Sequence, residues 1–301
     1  MPPNRRAKRR PLEIIHTAEW MRLASREASV AARVVGLIPT MGALHDGHFS
    51  LIRAARGQCS PVVVSIFVNP LQFGANEDFG KYPLTMEKDR TALESLGVDY
   101  LFAPESSEMY PPGFRTSIHV EGLSERLEGR SRPGHFQGVA TVVLKLMEIV
   151  QPNFCYFGRK DAQQIRIVRQ MVRDLDIASE VVDCPIVREP DGLAMSSRNE
   201  YLNNDERVAA TGLHRSLKRA RENISHGERN PGQLLGEIRE ILEREPLLRV
   251  DYAEIVDVHT LEPVVKLRGE CLILLAVFSG RTRLIDNALI TESGRSFVVT
   301  I

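Results

Sequence analysis

Between Val34 and about Asp183, short apolar runs alternate with stretches of helical periodicity. The runs are VVGLIP (34–39), VVVSIFV (62–68), VDYLFAP (98–104), NFCYFG (153–158) and EVVDCP (180–185). Near-continuous Val, Ile, Leu and Phe in runs of this length suits strands buried on both faces of a parallel sheet. The intervening pattern predicts helices near 47–57, 85–97, 138–150 and 161–174. In the third, Val139, Val142, Val143, Leu146, Ile149 and Val150 recur at helical spacing. Strand–helix alternation of this kind predicts a doubly wound α/β domain.

Residues 105–135 break the rhythm. They are rich in Pro, Gly and Ser, a composition suited to a lid or cap. After Asn203 the texture changes again. LNNDERVAATGLHRSLKRAREN reads as one helix, with Asn203 or Asn204 as N-cap and Asp205 and Glu206 favoured in its first turn. PGQLLGEIREILERE (231–245) supplies a second helix with Pro231 near its start. Strands VDYAEIVD (250–257), CLILLAVF (271–278) and RLIDNALI (283–290) follow. The expected organisation is therefore a leader at 1–11, a Rossmann-like doubly wound parallel sheet domain at 12–186, and a smaller α+β domain at 187–301.

Composition narrows the class without changing the fold. The chain has 301 residues, 43% hydrophobic and 26% charged, as globular proteins do. Thirty-nine basic residues balance thirty-nine acidic ones, so no global field draws in nucleic acid or an anionic membrane. The local exception is MPPNRRAKRR, residues 1–10, with five basic residues and no acid; it reads as a disordered, solvated tail. No secretory signal follows it, and no uncharged apolar stretch approaches the ~18 residues of a membrane span. Cys59, Cys155, Cys184 and Cys271 have no C-x-x-C spacing, which speaks against zinc and a disulfide scaffold and for the cytoplasm.

Four stretches carry chemistry. PTMGALHDGH comprises Pro39, Thr40, Met41, Gly42, Ala43, Leu44, His45, Asp46, Gly47 and His48. It begins where the first strand ends, the ligand-binding edge of an open α/β sheet, and it runs into a helix whose N-terminus favours anions. Imidazoles at His45 and His48, three apart, suit phosphate oxygens. A metal reading lacks further ligands at useful spacing, and a turn that carries its histidines incidentally is the bland alternative. FVNPLQFG offers neutral amides at Asn69 and Gln72, suited to hydroxyl or carboxylate recognition; alone, Asn69 is better explained as a turn cap. FGRKDAQQ supplies Gly158, Arg159, Lys160, Asp161, Gln163 and Gln164, again from strand end to helix. AMSSRN supplies Met195, Ser196, Ser197 and Arg198, a clamp for a phosphate that gains charge or else a serine-capped hinge.

Taken together and in order, PTMGALHDGH, SIFVNPLQF, the YP of KYPLT, RPGHFQGV, the FG-x-KD-x-QQ frame and GLAMSSRN resemble the pantothenate synthetase (pantoate–β-alanine ligase) family. That family belongs to the HIGH-type nucleotidylyltransferases, and the resemblance covers about 34–290. It implies that pantoate is activated by ATP as pantoyl adenylate, with pyrophosphate released, and that β-alanine then displaces AMP to give pantothenate. It places Pro39 to His48, Gly158 to Asp161, Val187 and Met195 to Arg198 at ATP. His48 takes the place of proton donor and His45 assists at the phosphates. Lys160, Ser196, Ser197 and Arg198 neutralise the departing pyrophosphate. Gln72 holds pantoate and β-alanine and Gln164 holds pantoate, with Asn69 beside them. Magnesium rides mainly on the phosphates, Asp161 being a weak candidate ligand. A homodimer joined through the N-terminal domain is implied, as is a C-terminal domain that closes over ATP, with neither nucleic acid nor membrane as partner.

The sequence departs from the family pattern at Arg159, where Glu is common, at Ala162, where an aromatic is usual, and at Leu84 and Phe49. These departures bear on affinity and rate more than on reaction type. Two other readings are open. One is a HIGH-type adenylyltransferase for a different small acid. The other is a non-catalytic nucleotide-binding or RNA-associated protein anchored by the leader, which the balanced charge disfavours.

Overall fold

The computed structural model describes residues 11–74, 80, 85–294 and 296–301. The basic leader 1–10 and Tyr82, Pro83 and Leu84 lie outside the described residues. The chain divides into two compact units. One contains the described residues up to Val120 together with Arg132–Phe157 and Ile167–Cys184; the other contains Glu121–Ser131, Gly158–Arg166 and Pro185–Ile301.

In the first unit the chain forms β1 (Glu13–Ile15), α1 (Ala18–Val30), β2 (Gly36–Thr40), α2 (Asp46–Arg56), β3 (Val62–Ile66), α3 (Met86–Leu96), β4 (Tyr100–Phe102) and α4 (Ser106–Met109). After α5 (Glu128–Ser131), which belongs to the second unit, come α6 (His135–Val150), β5 (Phe154–Gly158), α7 (Ala162–Asp174) and β6 (Glu180–Cys184), of which Gly158 and Ala162–Arg166 also belong to the second unit. The six strands form one sheet in the order β1-β4-β3-β2-β5-β6, and β1 with β4, β4 with β3, β3 with β2 and β2 with β5 run parallel.

Both faces of that sheet are covered, which is why its strands read as continuous apolar runs. On one face Ile38, Val62, Val64 and Leu101 pack with Leu51, Ile52 and Ala55 of α2 and Leu93 of α3. Leu37, Val63 and Phe102, one residue out of step, are buried on the other, where α6 packs on β2 and α1 on α6. The strand order reverses at β2 and β5. In open parallel sheets, ligands bind beyond the carboxyl ends of strands at such a reversal, and the segment leaving β2 there is PTMGALHDGH.

The second unit contains α8 (Asn204–Ala210), α9 (Gly212–Ser225), α10 (Pro231–Glu243), β7 (Leu248–Asp257), β8 (Glu270–Ser279), β9 (Thr282–Ser293) and β10 (Ser296–Thr300). Its antiparallel sheet has the order β10-β9-β8-β7. Leu213, Leu217 and Ile224 of α9 and Leu234, Ile238 and Leu242 of α10 form one core with Ile255, Ile273, Leu275 and Ile290 of the sheet.

Four elements differ from expectation. The helix expected from Asn203 onward is two helices. Thr211 Oγ1 donates back to Val208 O at 2.7 Å, a local bond that competes with the helical ladder. The Asn203 cap itself forms as expected, as a capping box with Glu206. Strand β1 with helix α1, and strand β10, carry no clear periodic signal. β1 has only three residues, while α1 buries Met21, Ser25 and Ala28 and exposes Trp20, Leu23 and Val30.

Candidate active site

The expected site residues fall in both units. In the first, β2 ends at Thr40, whose hydroxyl donates to Ser65 O at 2.7 Å and accepts from Gly42 N at 3.2 Å. The chain then turns through Gly42 (φ 85°) and Ala43 (φ 50°), both left-handed. Glycine fits the first of these for a second reason: a Cβ there would stand 3.1 Å from Ile66 and 3.3 Å from the Asp89 carboxylate. Asp89, on α3, is 1% exposed. Its two oxygens accept from Ala43 N and Leu44 N, each at 2.9 Å, and from the Thr85 hydroxyl at 3.0 Å. A buried carboxylate that takes two consecutive backbone N–H groups sets the course of the whole loop.

His45 and His48 open α2 as a capping box. His45 Nδ1 accepts from Gly47 N at 3.2 Å, and His48 Nδ1 accepts from His45 N at 3.4 Å. The ring centroids lie 4.2 Å apart. A neutral imidazole that accepts at Nδ1 carries its proton at Nε2, so both rings are donors at that atom. The dipole at the start of α2 adds positive potential at the same place.

Gln72 closes a 3-10 turn over Pro70–Gln72 and is held from several directions. Its Oε1 accepts from Asn69 Nδ2 at 3.0 Å, its Nε2 lies 3.1 Å from Met41 Sδ, and its main-chain oxygen accepts from His135 Nδ1 at 2.8 Å. Arg132 Nη1 in turn donates to His135 Nε2 at 3.0 Å. Asn69 is 1% exposed. Its Nδ2 also donates to Gly138 O, and its Oδ1 accepts from Leu71 N and from the Tyr110 hydroxyl at 2.8 Å. Burial pushes the Tyr110 phenol well up, which keeps it a donor. Asn69 thus fixes which way the Gln72 amide faces, with its nitrogen on the Met41 side; an amide N–H there is a donor suited to a carboxylate or hydroxyl.

In the second unit, Gly158 ends β5 and Arg159–Asp161 forms a 3-10 turn leading into α7. Lys160 Nζ lies 3.7 Å from Asp161 Oδ1, Arg159 and Gln164 are half-buried, and Ala162 is buried. Gln163 points inward. Its Oε1 accepts from Glu128 N at 3.1 Å, and its Nε2 donates to Leu123 O and Arg126 O. Val187 and Met195 are joined by Met195 N donating to Val187 O at 2.9 Å. Ser196 caps a 3-10 turn, Ser197–Tyr201, by accepting from Arg198 N. Asn199 braces that loop by donating to Glu189 Oε1 and Ala194 O. Arg188 pairs bidentately with Asp286 at 2.7 and 3.0 Å.

The supporting residues Asp89, Tyr110, His135 and Asp286 carry no motif of their own, because their partners are main-chain groups or distant side chains. Only RPGHFQGV, which contains His135, offered any signal.

A parallel α/β sheet with a histidine-capped helix start at its ligand edge defines an α/β protein equipped to receive an anion. Comparison with known proteins narrows this class to one family. The chain belongs to the pantoate-beta-alanine ligase family, whose model matches residues 13–289, and it is a pantothenate-forming ligase. It is 54% identical to the pantothenate synthetase of Heliobacterium modesticaldum over 279 residues, 93% of this chain and 99% of that one. It is 52% identical to that of Thermosipho africanus over 279 residues, 93% of this chain and 100% of that one. The crystal structure of pantothenate synthetase from Thermus thermophilus matches with a TM-score of 0.87 and 46% identity, covering 91% of this chain and 98% of that one. That of pantoate-beta-alanine ligase from Francisella tularensis, complexed with beta-gamma ATP and beta-alanine, matches at 0.76 and 36%, covering 92% and 97%.

Proposed function

We propose that this ligase activates pantoate as an acyl adenylate. The observation that carries the reading is the histidine pair at the start of α2, both rings accepting at Nδ1 and therefore donating at Nε2. Such donors, set at a helix N-terminus, suit phosphate oxygens that gain charge as a leaving group departs. A pantoate carboxylate oxygen attacks the α-phosphorus of ATP, the bond to the β-phosphate oxygen breaks, and pyrophosphate leaves. The β-alanine amine then attacks the acyl carbon, the bond to the AMP oxygen breaks, and the amine gives up a proton.

In this reading Pro39 to His48, Gly158 to Asp161, Val187 and Met195 to Arg198 bind ATP. His48 and His45 donate to its phosphates, and Lys160, Ser196, Ser197 and Arg198 offset the charge on pyrophosphate. Gln72 and Gln164 hold pantoate, Gln72 also meets β-alanine, and Asn69 orients Gln72. The ATP and β-alanine of the Francisella complex support these substrates.

Magnesium is the ion nucleotide phosphates ordinarily carry. Among the described residues no group of three or more His, Cys, Asp or Glu is placed to hold a metal, and the Asp161 side chain is 48% exposed beside Lys160. In this reading magnesium rides mainly on the ATP phosphates, with Asp161 a weak candidate ligand. The resemblance further supports a homodimer joined through the N-terminal domain. Among the described residues no helix is long and apolar enough to cross a membrane. The four buried free cysteines support a reducing compartment, the cytoplasm, which cell fractionation checks.

The deciding assay mixes protein, ATP and pantoate without β-alanine. Pyrophosphate is expected at once, with AMP and pantothenate only after β-alanine is added. Pyrophosphate with another small acid but none with pantoate rejects the substrate; none until β-alanine is present rejects the adenylate.

A further inference from the structure

Asn287 lies on β9, paired with Leu274 of β8, and is 3% exposed. Its Nδ2 donates to Arg159 O and to Lys160 O, each at 2.9 Å. An amide nitrogen has two hydrogens, and here both go to two consecutive carbonyls of the turn that carries Lys160. Asn287 is itself fixed. Its backbone N–H donates to Asp286 Oδ1 at 2.8 Å, and Asp286 is gripped by both ends of the Arg188 guanidinium.

The Lys160 side chain is long, and its ion pair with Asp161, at 3.7 Å to a side chain 48% exposed, is of the weak surface kind. The Lys160 side chain itself is 20% exposed, so its course is set by its packing and by the main chain from which it grows. That main chain is a short 3-10 turn, a conformation with poorer internal hydrogen bonds than an α-helix. Two bonds from one rigid strand residue supply the missing constraint. No other neutral side chain of that size offers two donors on one atom.

We propose that Asn287 is a positioning residue for Lys160, holding the Arg159 and Lys160 carbonyls so that the ammonium meets the pyrophosphate as it forms. The inference rests on the role of Lys160 given above. Asn287 touches no substrate; it acts through the lysine.

The test is a double-mutant cycle in the full chain with Asn287→Leu, Asn287→Ser, Lys160→Ala and the combinations with Lys160→Ala. Pantoate-dependent pyrophosphate release is measured with kcat and both KM values separated, alongside thermal unfolding. Asn287→Leu is expected to lower kcat about 10- to 100-fold, as small misplacements do, with the pantoate KM unchanged within about twofold. Asn287→Ser, which keeps one donor, falls between. In the Lys160→Ala background either change costs less than about twofold, the non-additivity of residues that act as a unit. Wild-type rates in Lys160→Ala overturn the role of the lysine and the inference with it. A slow Lys160→Ala variant in which the Asn287 change costs the same factor as before overturns the positioning role alone. Should Asn287→Leu fail to fold, Asn287→Ser completes the same cycle.

Discussion

At the scale of single residues, Nδ1 of each histidine builds the helix start, and Nε2 of each neutral ring is the donor. His48 Nδ1 caps the His45 N–H, while Nε2 carries the proton. The two roles separate by substitution. His48→Ala removes both, and is expected to slow adenylation by ~10²-fold or more, in line with the loss of a charge-stabilising donor. Its stability should fall by about 1 kcal/mol, as for a lost helix cap. His48→Asn restores an acceptor near the Nδ1 position, so urea unfolding should recover while pyrophosphate release stays slow. Recovery of both would show that the ring matters only as a cap. These histidines were legible in the sequence because strand end, glycine turn and helix start are contiguous there. Asp89 was not, since nothing in a first-turn acid of α3 announces that it will accept two backbone N–H groups from residues 43 and 44. The same holds for Asn287, whose partners are carbonyls and leave no trace in residue type.

Among the elements, α6 and the Pro70–Gln72 turn meet backbone to backbone at Gly138. A Cβ at Gly138 would stand 2.2 Å from Leu71 O and 2.6 Å from Gln72 N, and both atoms are backbone with little freedom to yield. Gly138→Ala must lever the helix away from the turn. Overpacking of this kind costs about 1–3 kcal/mol, and the displaced Gln72 should raise the pantoate KM at least ~10-fold, since small shifts of positioning groups carry large kinetic penalties. Steady-state kinetics with pantoate varied checks this; an unchanged KM would separate Gln72 from pantoate binding. The main strands and helices were readable because burial on both sheet faces forces unbroken apolar runs. The short β1, the mixed pattern of α1 and the edge strand β10 gave no such compulsion. RPGHFQGV announced Gly138 as part of a motif, but only the packing explains the absent side chain.

Across the whole molecule, composition marks a change of texture after Asn203 but carries no sign that Glu121–Ser131 and Gly158–Arg166 belong with the C-terminal residues. What fastens them is polar and distant in sequence. Arg283 donates to Glu128 Oε2 at 2.7 Å and to Asp251 Oδ2 at 2.6 Å, and the Tyr252 hydroxyl donates to Glu128 Oε1 at 2.8 Å. Burial alone would lower the Arg283 pKa; Glu128 and Asp251 outweigh it and keep the guanidinium charged. Arg283→Met leaves a mostly buried carboxylate without its counter-charge. A loss of about 3–5 kcal/mol is expected, read by denaturant unfolding, and a loss below ~1 kcal/mol would place the network among ordinary surface pairs. The proposed homodimer is checked at the same scale by sedimentation, where a particle of one chain's mass at working concentration rules it out.

The interleaving also sets an order in time. A chain is made from its N-terminus and its domains fold as they emerge, so β2, the histidine-capped helix and the parallel strands are complete in sequence long before the end. The Lys160 turn is not. Its carbonyls wait for residue 287, and the Glu121–Ser131 segment waits for residue 283. A nascent chain broken off between Arg198 and that strand holds every motif residue from Pro39 to Arg198, yet leaves its lysine on an unfinished loop. Premature termination therefore yields a product whose motifs read as intact in sequence but whose lysine turn lacks its support.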